Sequence, residues 1–408
     1  MSRSHHFGQG SACFAPTLGR WGPATGHAVV PQGVSSQPAI GQAVMAQTLT
    51  AHGSKRPRTA LTTTLIGAAV LAAPLSSALA DDISLPPISI GAGVRTDFEY
   101  TDPDSGKKTD DFNLDSIRLY ISGHVMDHVS FMFNTEYEGS PPAGTNAVQV
   151  LDAVAQFSWG DEINIWAGRF LPPSDRANLY GPYYANQWAV YRDGVQDGFP
   201  STAVGRDNGV MYWGQFGIFK IAAGAFDVPS TVGTSNVVST ARVMVDLWDP
   251  EAGYYLNGTY YGEKDLLAIG IDGQSEDGNK AYSADFLLEK KLPNLGVVNV
   301  ESEYAKYDHF GGYAGDTSDG YYILGSYLFP QVIGVGKFQP LLKYAHANYQ
   351  FDTGPTPNDT QRTIDVELNY IMKNFNARVS LYYLDVKYDH DIAGIDHKVV
   401  GLGLQLQM

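Results

Sequence analysis

The sequence predicts an all-β protein, a transmembrane antiparallel β-barrel of sixteen strands, and three observations support this. Residues 401–408 carry leucine or methionine at every second position up to the end of the chain. Long segments elsewhere alternate apolar and polar side chains with the period of a strand. The polar connections between them are alternately short and long. An outer-membrane barrel has all three properties, because its outer face meets lipid and its last strand closes against its first.

The first 80 residues predict a targeting segment. They contain no Asp or Glu, and a basic segment at 55–58 precedes an apolar stretch over 65–73. Small residues at 78 and 80 fit a signal-peptidase site, so 45–80 is predicted to be a signal peptide. Residues 1–44 are either a leader or the result of a mis-assigned start. The barrel is predicted to occupy 81–408, in the bacterial outer membrane.

Removal of the targeting segment leaves a strongly acidic chain. Five of the 27 basic residues and the single cysteine, Cys13, lie before residue 81, so 22 basic residues face 43 acidic ones. A secreted chain without cysteine forms no disulfide. All 25 tyrosines lie after residue 80, and tyrosine is favoured where one end of the ring is apolar and the other wet, as at a membrane surface. A soluble, acidic, secreted β-sandwich is the alternative on composition.

The alternation is clearest at the start of the mature chain. Apolar side chains occupy most even positions from 88 to 100, and polar ones occupy the odd positions. The same pattern recurs over 117–125, 129–138 and 363–370. Each segment has about the length of a tilted membrane strand. These segments are therefore predicted to be spanning strands with one lipid face and one wet face.

The connections predict how the strands are ordered. The predicted short connections are 126–128, 160–161, 214–217 and 372–375, and the predicted long ones are 101–111, 139–147, 170–206, 227–239, 275–280, 308–319, 350–360 and 388–396. Strict alternation requires 249–265 to be one long periplasmic connection, not a strand. Both termini then lie on the periplasmic side, and the strand count is even, as bacterial single-chain barrels require.

The segment 170–206 is the longest connection, at some 37 residues, and it is rich in tyrosine and tryptophan. A loop this long and aromatic is expected to pack against something, and in a wide barrel the available place is the lumen. The alternative is an outward loop used in oligomer contact. If the loop folds inward, its charges lie at the constriction of the pore, and the candidates are Arg169, Asp175, Arg176, Arg192, Asp193, Asp197 and Arg206.

Strand parity assigns a second set of charges to the lumen. These lumen-lining candidates are Arg95, Asp97, Glu99, Arg118, Glu136, Asp152, Glu301, Glu303, Asp365 and Glu367, with Glu138 and Arg378 as further members. Acids outnumber bases in this set. Because rings of Asp and Glu favour cations, the wall predicts a weak cation preference.

Four segments carry a resemblance to a known family: 167–173, 205–210, 248–251 and 337–341. On these segments, residues 81–408 resemble the phosphate-selective porins O and P. The resemblance implies a homotrimer of sixteen-stranded outer-membrane channels in contact with lipid and lipopolysaccharide, passing anions along a ladder of arginines and a cluster of lysines. The acidic lumen and the terminal Met408, where the family usually ends in an aromatic residue, depart from that pattern.

Residues that would support catalysis or metal binding are weakly represented. His124 and His128 straddle a predicted turn, and Gly334–Lys337 lacks the Ser or Thr of a phosphate loop. We therefore predict no enzyme, no cofactor, no metal site and no nucleic-acid partner. Three functions stay open: a diffusion porin for ions and small hydrophilic solutes, an anion-selective phosphate porin, and a sheath around a partner such as a multihaem cytochrome, which would need an empty lumen.

Overall fold

The described residues of the protein, in a computed structural model, are 87–137, 148–195, 205–227, 237–310, 316–352 and 356–408. They form sixteen antiparallel strands in one closed barrel, as predicted. The predicted leader 1–44 and signal peptide 45–80 lie outside these ranges. Among the described residues, no helix has the length and apolar character needed to cross a membrane.

Each strand pairs with its neighbours in sequence, and the first strand pairs with the last. The strands are β1 Ile88–Pro103, β2 Thr109–Met126, β3 Val129–Tyr137, β4 Val148–Trp159, β5 Ile163–Phe170, β6 Asp207–Phe216, β7 Phe219–Asp227, β8 Val237–Asp246, β9 Leu266–Glu276, β10 Asn279–Lys291, β11 Val297–Asp308, β12 Thr317–Leu328, β13 Lys337–Gln350, β14 Asp359–Lys373, β15 Ala377–Tyr388 and β16 His397–Gln407. One short helical segment, α1 Arg176–Tyr184, lies between β5 and β6.

The polarity of the barrel is the reverse of that of a soluble protein. In β14, Asp365 and Glu367 are buried, whereas Ile364, Val366 and Leu368 are exposed. The same alternation runs along the other long strands, where exposed apolar side chains face outward and buried polar ones face inward. An exterior of this kind is suited to lipid and an interior of this kind to water or to polar packing. The protein is accordingly an outer-membrane β-barrel.

The barrel closes as the alternation at the end of the chain predicts. Val94 is in register with Leu406, and Phe98 with Leu402. Beyond the last paired strand residues, the backbones of Ala92 and Met408 exchange two hydrogen bonds of 3.1 and 2.9 Å. The pairing of β1 with β16 is therefore continuous over residues 92–103, so the wall has no open edge at this seam, as lipid requires.

Several predicted connections are shorter than expected. The segment 275–280 is a two-residue turn, because Asp277 (φ 46°) and Gly278 (φ 94°) both adopt the left-handed conformation of a tight hairpin. Likewise, β6 continues into the predicted turn 214–217, so that only residues 217–218 connect β6 to β7. The predicted loop 101–111 is reduced to residues 104–108. By the rule that bacterial barrels have short periplasmic turns, we assign the end at which β1 begins and β16 ends to the periplasm.

Candidate functional site

Two insertions enter the barrel from opposite ends and meet inside it. The inner loop, residues 171–195, follows β5, and the second insertion, residues 247–265, joins β8 to β9. The backbone N–H of Gly258 donates to the Tyr184 carbonyl at 2.9 Å, and the Tyr254 hydroxyl donates to the Leu171 carbonyl at 2.8 Å. The predicted inward folding of the long loop is confirmed, and the alternative of an outward clasp is wrong for residues 171–195.

The second insertion was predicted only as a connection, and its entry into the lumen was missed. Tyr254 and Leu256 are almost completely buried among inward-facing residues of the wall. Tyr254 packs edge-to-face on Trp166, with ring centroids 5.2 Å apart. The sequence did indicate that this segment is buried, because it holds four tyrosines. The argument that placed the aromatic loop 170–206 inside the barrel applies equally to this segment.

The local sequence of the inner loop explains its path. Asp175 caps α1, since its carboxylate accepts a hydrogen bond of 2.7 Å from the Asn178 backbone N–H. The helix breaks at Gly181, whose φ of 60° is the left-handed conformation that glycine adopts without strain. Pro182 follows, and the chain then turns across the barrel towards Trp188.

Arg176 joins the two insertions through a buried ion pair. Its Nη1 and Nη2 atoms lie 3.0 and 2.5 Å from the two carboxylate oxygens of Glu251. Neither side chain has exposed surface. Arg176 also donates to the Asn257 carbonyl at 3.0 Å, and the Tyr260 hydroxyl donates to Glu251 at 2.9 Å. This bidentate geometry compensates two charges that would otherwise be costly to bury.

The remaining charges of the inner loop pair with the wall. Arg192 lies 2.6 Å from Glu99 of β1, and Asp193 pairs with Lys343 of β13. These two loop residues, adjacent in sequence, therefore pair with different strands of the wall. At the return of the loop, Arg206 Nε lies 3.2 Å from Asp152. Asp197, another predicted constriction residue, lies outside the described ranges.

Arg169 was predicted at the constriction, and that prediction is wrong. It is in register with Ala153 on one side and Asn208 on the other, both exposed on the outer face of the barrel. Its Nε donates to the Val150 carbonyl at 3.1 Å. Side chains of a strand alternate between faces, so the inward positions of β5 belong to its neighbours, including Phe170.

Arginines of the wall hold the backbone of the inner loop. Arg95 donates to the Trp188 carbonyl at 2.9 Å, and Arg378 donates to the Ala185 carbonyl at 2.9 Å. The Trp188 ring lies between them, 4.1 Å from the Arg95 guanidinium and 5.7 Å from that of Arg378. Arg118 pairs with Glu136 at 2.9 Å. All three arginines thus have partners within the protein. Glu138, a further predicted lumen residue, lies outside the described ranges.

The acidic wall consists of Glu301, Glu303, Asp365 and Glu367, which are all predicted lumen residues and are all buried inside the barrel. Glu367 accepts a hydrogen bond of 2.6 Å from the Trp188 backbone N–H. Glu301 accepts from the Tyr322 hydroxyl at 2.6 Å. In contrast, both carboxylate oxygens of Asp365, Oε1 of Glu303 and Oε2 of Glu301 accept no hydrogen bond from the described residues.

Asp97, the last of the predicted lumen residues, accepts hydrogen bonds from Asn113 at 2.9 Å and from the Tyr382 hydroxyl at 2.5 Å. Further interior charges were not predicted. Arg242 donates to both carboxylate oxygens of Asp285, at 2.6 and 2.8 Å. Alternation along the strands could have identified both residues as inward-facing. Arg242, for example, lies between Ala241 and Val243, which face outward.

At the outer mouth, His309 lies between the carboxylates of Asp308, the last residue of β11, and Asp352, which follows β13. Its Nδ1 is 2.8 Å from Asp308 and its Nε2 is 2.7 Å from Asp352. The hydrogen bonds that the protonated ring donates to Asp308 and Asp352 raise the pKa of His309 above its ordinary 6.5. Within the described ranges, no three His, Cys, Asp or Glu side chains are arranged to hold a metal ion.

The barrel has the fold of bacterial outer-membrane porins. It is similar to OmpF of Salmonella typhi in complex with daunomycin (TM-score 0.55, 11% identity, covering 79% of this chain and 98% of that one). It is also similar to OprB of Pseudomonas putida at high pH (0.55, 10%, 79% and 94%) and to an anion-selective porin from Comamonas acidovorans (0.52, 16%, 79% and 99%). No protein-family model and no curated protein sequence matches the chain. At these identities, the likeness establishes the fold.

Proposed function

We propose that the protein is an outer-membrane diffusion channel for ions and small hydrophilic solutes, with a weak cation preference. The observation that carries the proposal is the charged interior of a barrel whose exterior faces lipid. Burying ion pairs is often no more favourable than packing apolar side chains of the same volume. A barrel that served only as a scaffold could therefore be filled with apolar residues. Charges retained inside it are explained by passage of water and ions.

The sign of the preference is inferred from how the interior charges are used. Arg95 and Arg378 donate to backbone carbonyls of the inner loop, so they hold the loop in place. Oxygens of Asp365 and Glu303, in contrast, accept nothing from the described residues. The four acids of the wall add negative potential to the interior, which favours cations.

Selectivity for phosphate, which the resemblance to porins O and P implies, is the competing proposal. It needs arginine or lysine N–H groups directed at a passing anion. Arg118 is committed to Glu136 and Arg192 to Glu99, each at hydrogen-bond distance. A phosphate would have to compete with a carboxylate for each of these cations, so we place this proposal second.

A sheath for a multihaem cytochrome is disfavoured by the contents of the barrel. A threaded partner would have to displace the inner loop and the second insertion together. It would also have to separate Arg176 from Glu251, two side chains without exposed surface. Breaking such a pair costs about 3–5 kcal/mol.

As partners we propose outer-membrane lipid along the apolar exterior, lipopolysaccharide at the acidic outer loops, and two further copies of the chain. The homotrimer rests on the resemblance to porins O and P. Chemical cross-linking of the protein in native membranes tests it: a ladder that ends at three subunits supports the trimer, and a single band at one subunit contradicts it.

Planar-bilayer recording of the purified protein tests the channel. We expect discrete single-channel steps and, in a KCl gradient, a reversal potential of the sign that K⁺ preference gives. A reversal potential of the opposite sign would favour the phosphate alternative, which added phosphate should then block. A protein that inserts but produces no steps is not a channel.

A further inference from the structure

The two insertions cover the periplasmic half of the interior on one side of the barrel. Five inward side chains near the periplasmic ends of β10, β11, β12, β14 and β15 are buried: Glu289, Asn299, Ser326, Asn369 and Ser380. The second insertion covers them from below, since the Thr259 hydroxyl donates to Glu289 at 2.7 Å and the Asn299 side chain donates to the Gly258 carbonyl at 3.1 Å. The inner loop reaches the same side, where the Asn186 side chain donates to the Ser326 hydroxyl at 2.9 Å.

The wall formed by β2, β3 and β4 is accessible at the same end of the barrel. Ser122 is exposed, and Ser130, Gln156 and Ser158 are half-buried. These four residues, which we call the open sector, alternate with apolar residues of the outer face such as Ile121 and therefore face the interior. The Ser130 hydroxyl donates to the Gln156 side chain at 3.2 Å. The open sector is thus a polar part of the interior that solvent reaches.

Accessible surface continues from the open sector towards the outer mouth. Tyr120, the next inward residue of β2, is half-buried. Farther out, the side chain of Arg118 keeps 7% of its surface exposed and that of Arg192 keeps 14%, whereas that of Arg176 has none. The inner loop forms the opposite side of this passage, because the Tyr183 ring lies 6.5 Å from the Tyr120 ring and 4.9 Å from the Arg118 guanidinium.

We propose that ions and small solutes cross the barrel along the wall of β1 to β4, between Arg118 and Tyr120 on one side and Tyr183 on the other. The open sector is the periplasmic opening of this route. The proposal rests on the proposed channel function and specifies the path within it. A route along β10 to β15 would require the second insertion to leave the wall and Glu289 to lose the hydrogen bond from Thr259, whereas the route along β2 follows surface that is already accessible. The acidic wall then acts on a solute through its potential and not through contact.

Serine-to-cysteine substitutions test the route. In a Cys13→Ser background, an introduced cysteine is the only thiol of the chain. Ser122→Cys and Ser130→Cys place that thiol in the open sector. Ser326→Cys and Ser380→Cys are the matched controls, because they make the same substitution at inward positions near the periplasmic end that are buried. Each substitution exchanges one atom, so all four variants are expected to fold, and heat-modifiable migration on gels verifies it.

The first measurement needs no conductance. The folded, detergent-solubilised variants react with the trimethylammonium-ethyl methanethiosulfonate reagent, whose sulfur forms a disulfide with the thiolate and releases methanesulfinate, and mass spectrometry follows the product. Because access controls the reaction, we expect Ser122→Cys and Ser130→Cys to be modified about tenfold faster than Ser326→Cys and Ser380→Cys, or more. Equal rates in the two pairs would overturn the route, since both sides of the interior would then be equally open.

The second measurement is planar-bilayer recording with the reagent added on the periplasmic side. Modification of Ser122→Cys or Ser130→Cys should lower the single-channel conductance about twofold, because it adds bulk to the path. The cationic reagent should also shift the reversal potential towards Cl⁻, and the anionic sulfonatoethyl reagent should shift it towards K⁺. The Cys13→Ser parent and the two control variants should show neither change.

The two measurements separate failure of the route from failure of the channel. Single-channel steps that stay the same after complete modification of Ser122→Cys and Ser130→Cys overturn the route and leave the channel intact. Absence of steps in every variant, including the Cys13→Ser parent, overturns the channel function and the route with it. Fast modification confined to the open sector, together with opposite shifts of the reversal potential by the two reagents, supports both.

Discussion

Arg176 carries its charge into the middle of the barrel, where its guanidinium and the Glu251 carboxylate both have no exposed surface. The desolvation of each group is offset by two direct hydrogen bonds, of 3.0 and 2.5 Å. A buried pair of this kind adds little net stability compared with apolar residues, but the loss of one partner leaves the other charge uncompensated. The pair therefore enforces the contact between the two insertions.

Substitution of Glu251 by Leu is expected to lower the free energy of unfolding by about 3–5 kcal/mol. The double variant Arg176→Met/Glu251→Leu should recover much of that loss, because no unpaired charge is left buried. Unfolding in urea, followed by tryptophan fluorescence, gives the comparison. Asp102→Asn is the control, since the pair of Asp102 with Lys108 is largely exposed and such pairs contribute about 0–1 kcal/mol. If the double variant loses as much unfolding free energy as the Arg176→Met and Glu251→Leu single variants lose in sum, this account is contradicted.

His309 should titrate above the ordinary histidine value. Its pKa is raised by the hydrogen bonds that it donates to Asp308 and Asp352, so its protonated form links the two outer loops. That stabilising contribution is complete below about pH 6.5, the ordinary pKa of histidine, and is lost as the pH rises through the raised pKa of the folded protein. NMR titration of the His309 ring measures it. Asp352→Asn should bring the pKa back down, and an unchanged value in that variant would show that Asp352 is not its cause.

Among the elements, the hairpin between β9 and β10 depends on one glycine. Gly278 has φ of 94°, and an added Cβ would meet no atom within 4 Å, so only the backbone conformation opposes a side chain there. Gly278→Ala should destabilise the barrel by about 1–2 kcal/mol. Gly325→Ala is the matched control, because Gly325 also has open space and lies in a strand without positive φ. Equal unfolding midpoints for the two variants would contradict this prediction.

The strands could be predicted and part of the interior could not, for a physical reason. The wall has period two, and lipid on one face makes that period visible in positions such as Ile364, Val366 and Leu368. The two insertions show no regular spacing of apolar residues, because they contact side chains from many strands. Arg176 finds Glu251 across 75 positions of sequence, and no local pattern in the chain marks that pairing. The outward position of Arg169 could have been predicted by counting alternate positions forward from the inward-facing Trp166.

At the scale of the whole molecule, the free-energy cost of a charged side chain on the lipid-facing surface depends on how deep in the membrane that side chain lies. Leu402 lies at the middle of β16 and is 53% exposed, whereas Met408 ends the chain and is 85% exposed. Arg in place of Leu402 should destabilise the barrel by about 2–4 kcal/mol, and Arg in place of Met408 by about 0–1 kcal/mol. Unfolding of the barrel from phospholipid vesicles measures both. Equal costs would mean that β16 does not cross the membrane as the register indicates.

The two insertions together determine how much of the lumen is open. The second insertion can be removed with little strain, because its ends are already paired: the Asp249 backbone N–H donates to the Asp265 carbonyl at 3.0 Å. Replacing 251–263 by a two-residue turn together with Arg176→Met, or deleting about twenty residues of the inner loop together with Glu251→Leu, leaves no unpaired charge, and each variant should raise single-channel conductance. The double deletion should raise it most, since each insertion left alone still obstructs part of the cross-section.

The β12–β13 turn supplies the control for these deletions. Its residues Val332 and Val335 are 65% and 72% exposed, at the periplasmic end of the wall, so shortening it should leave conductance unchanged. If removal of the inner loop leaves conductance unchanged as well, the loop does not limit passage. If conductance rises in every deletion but the K⁺ preference stays, the selectivity is set by the wall, because the acidic carboxylates of β11 and β14 remain when both insertions are gone.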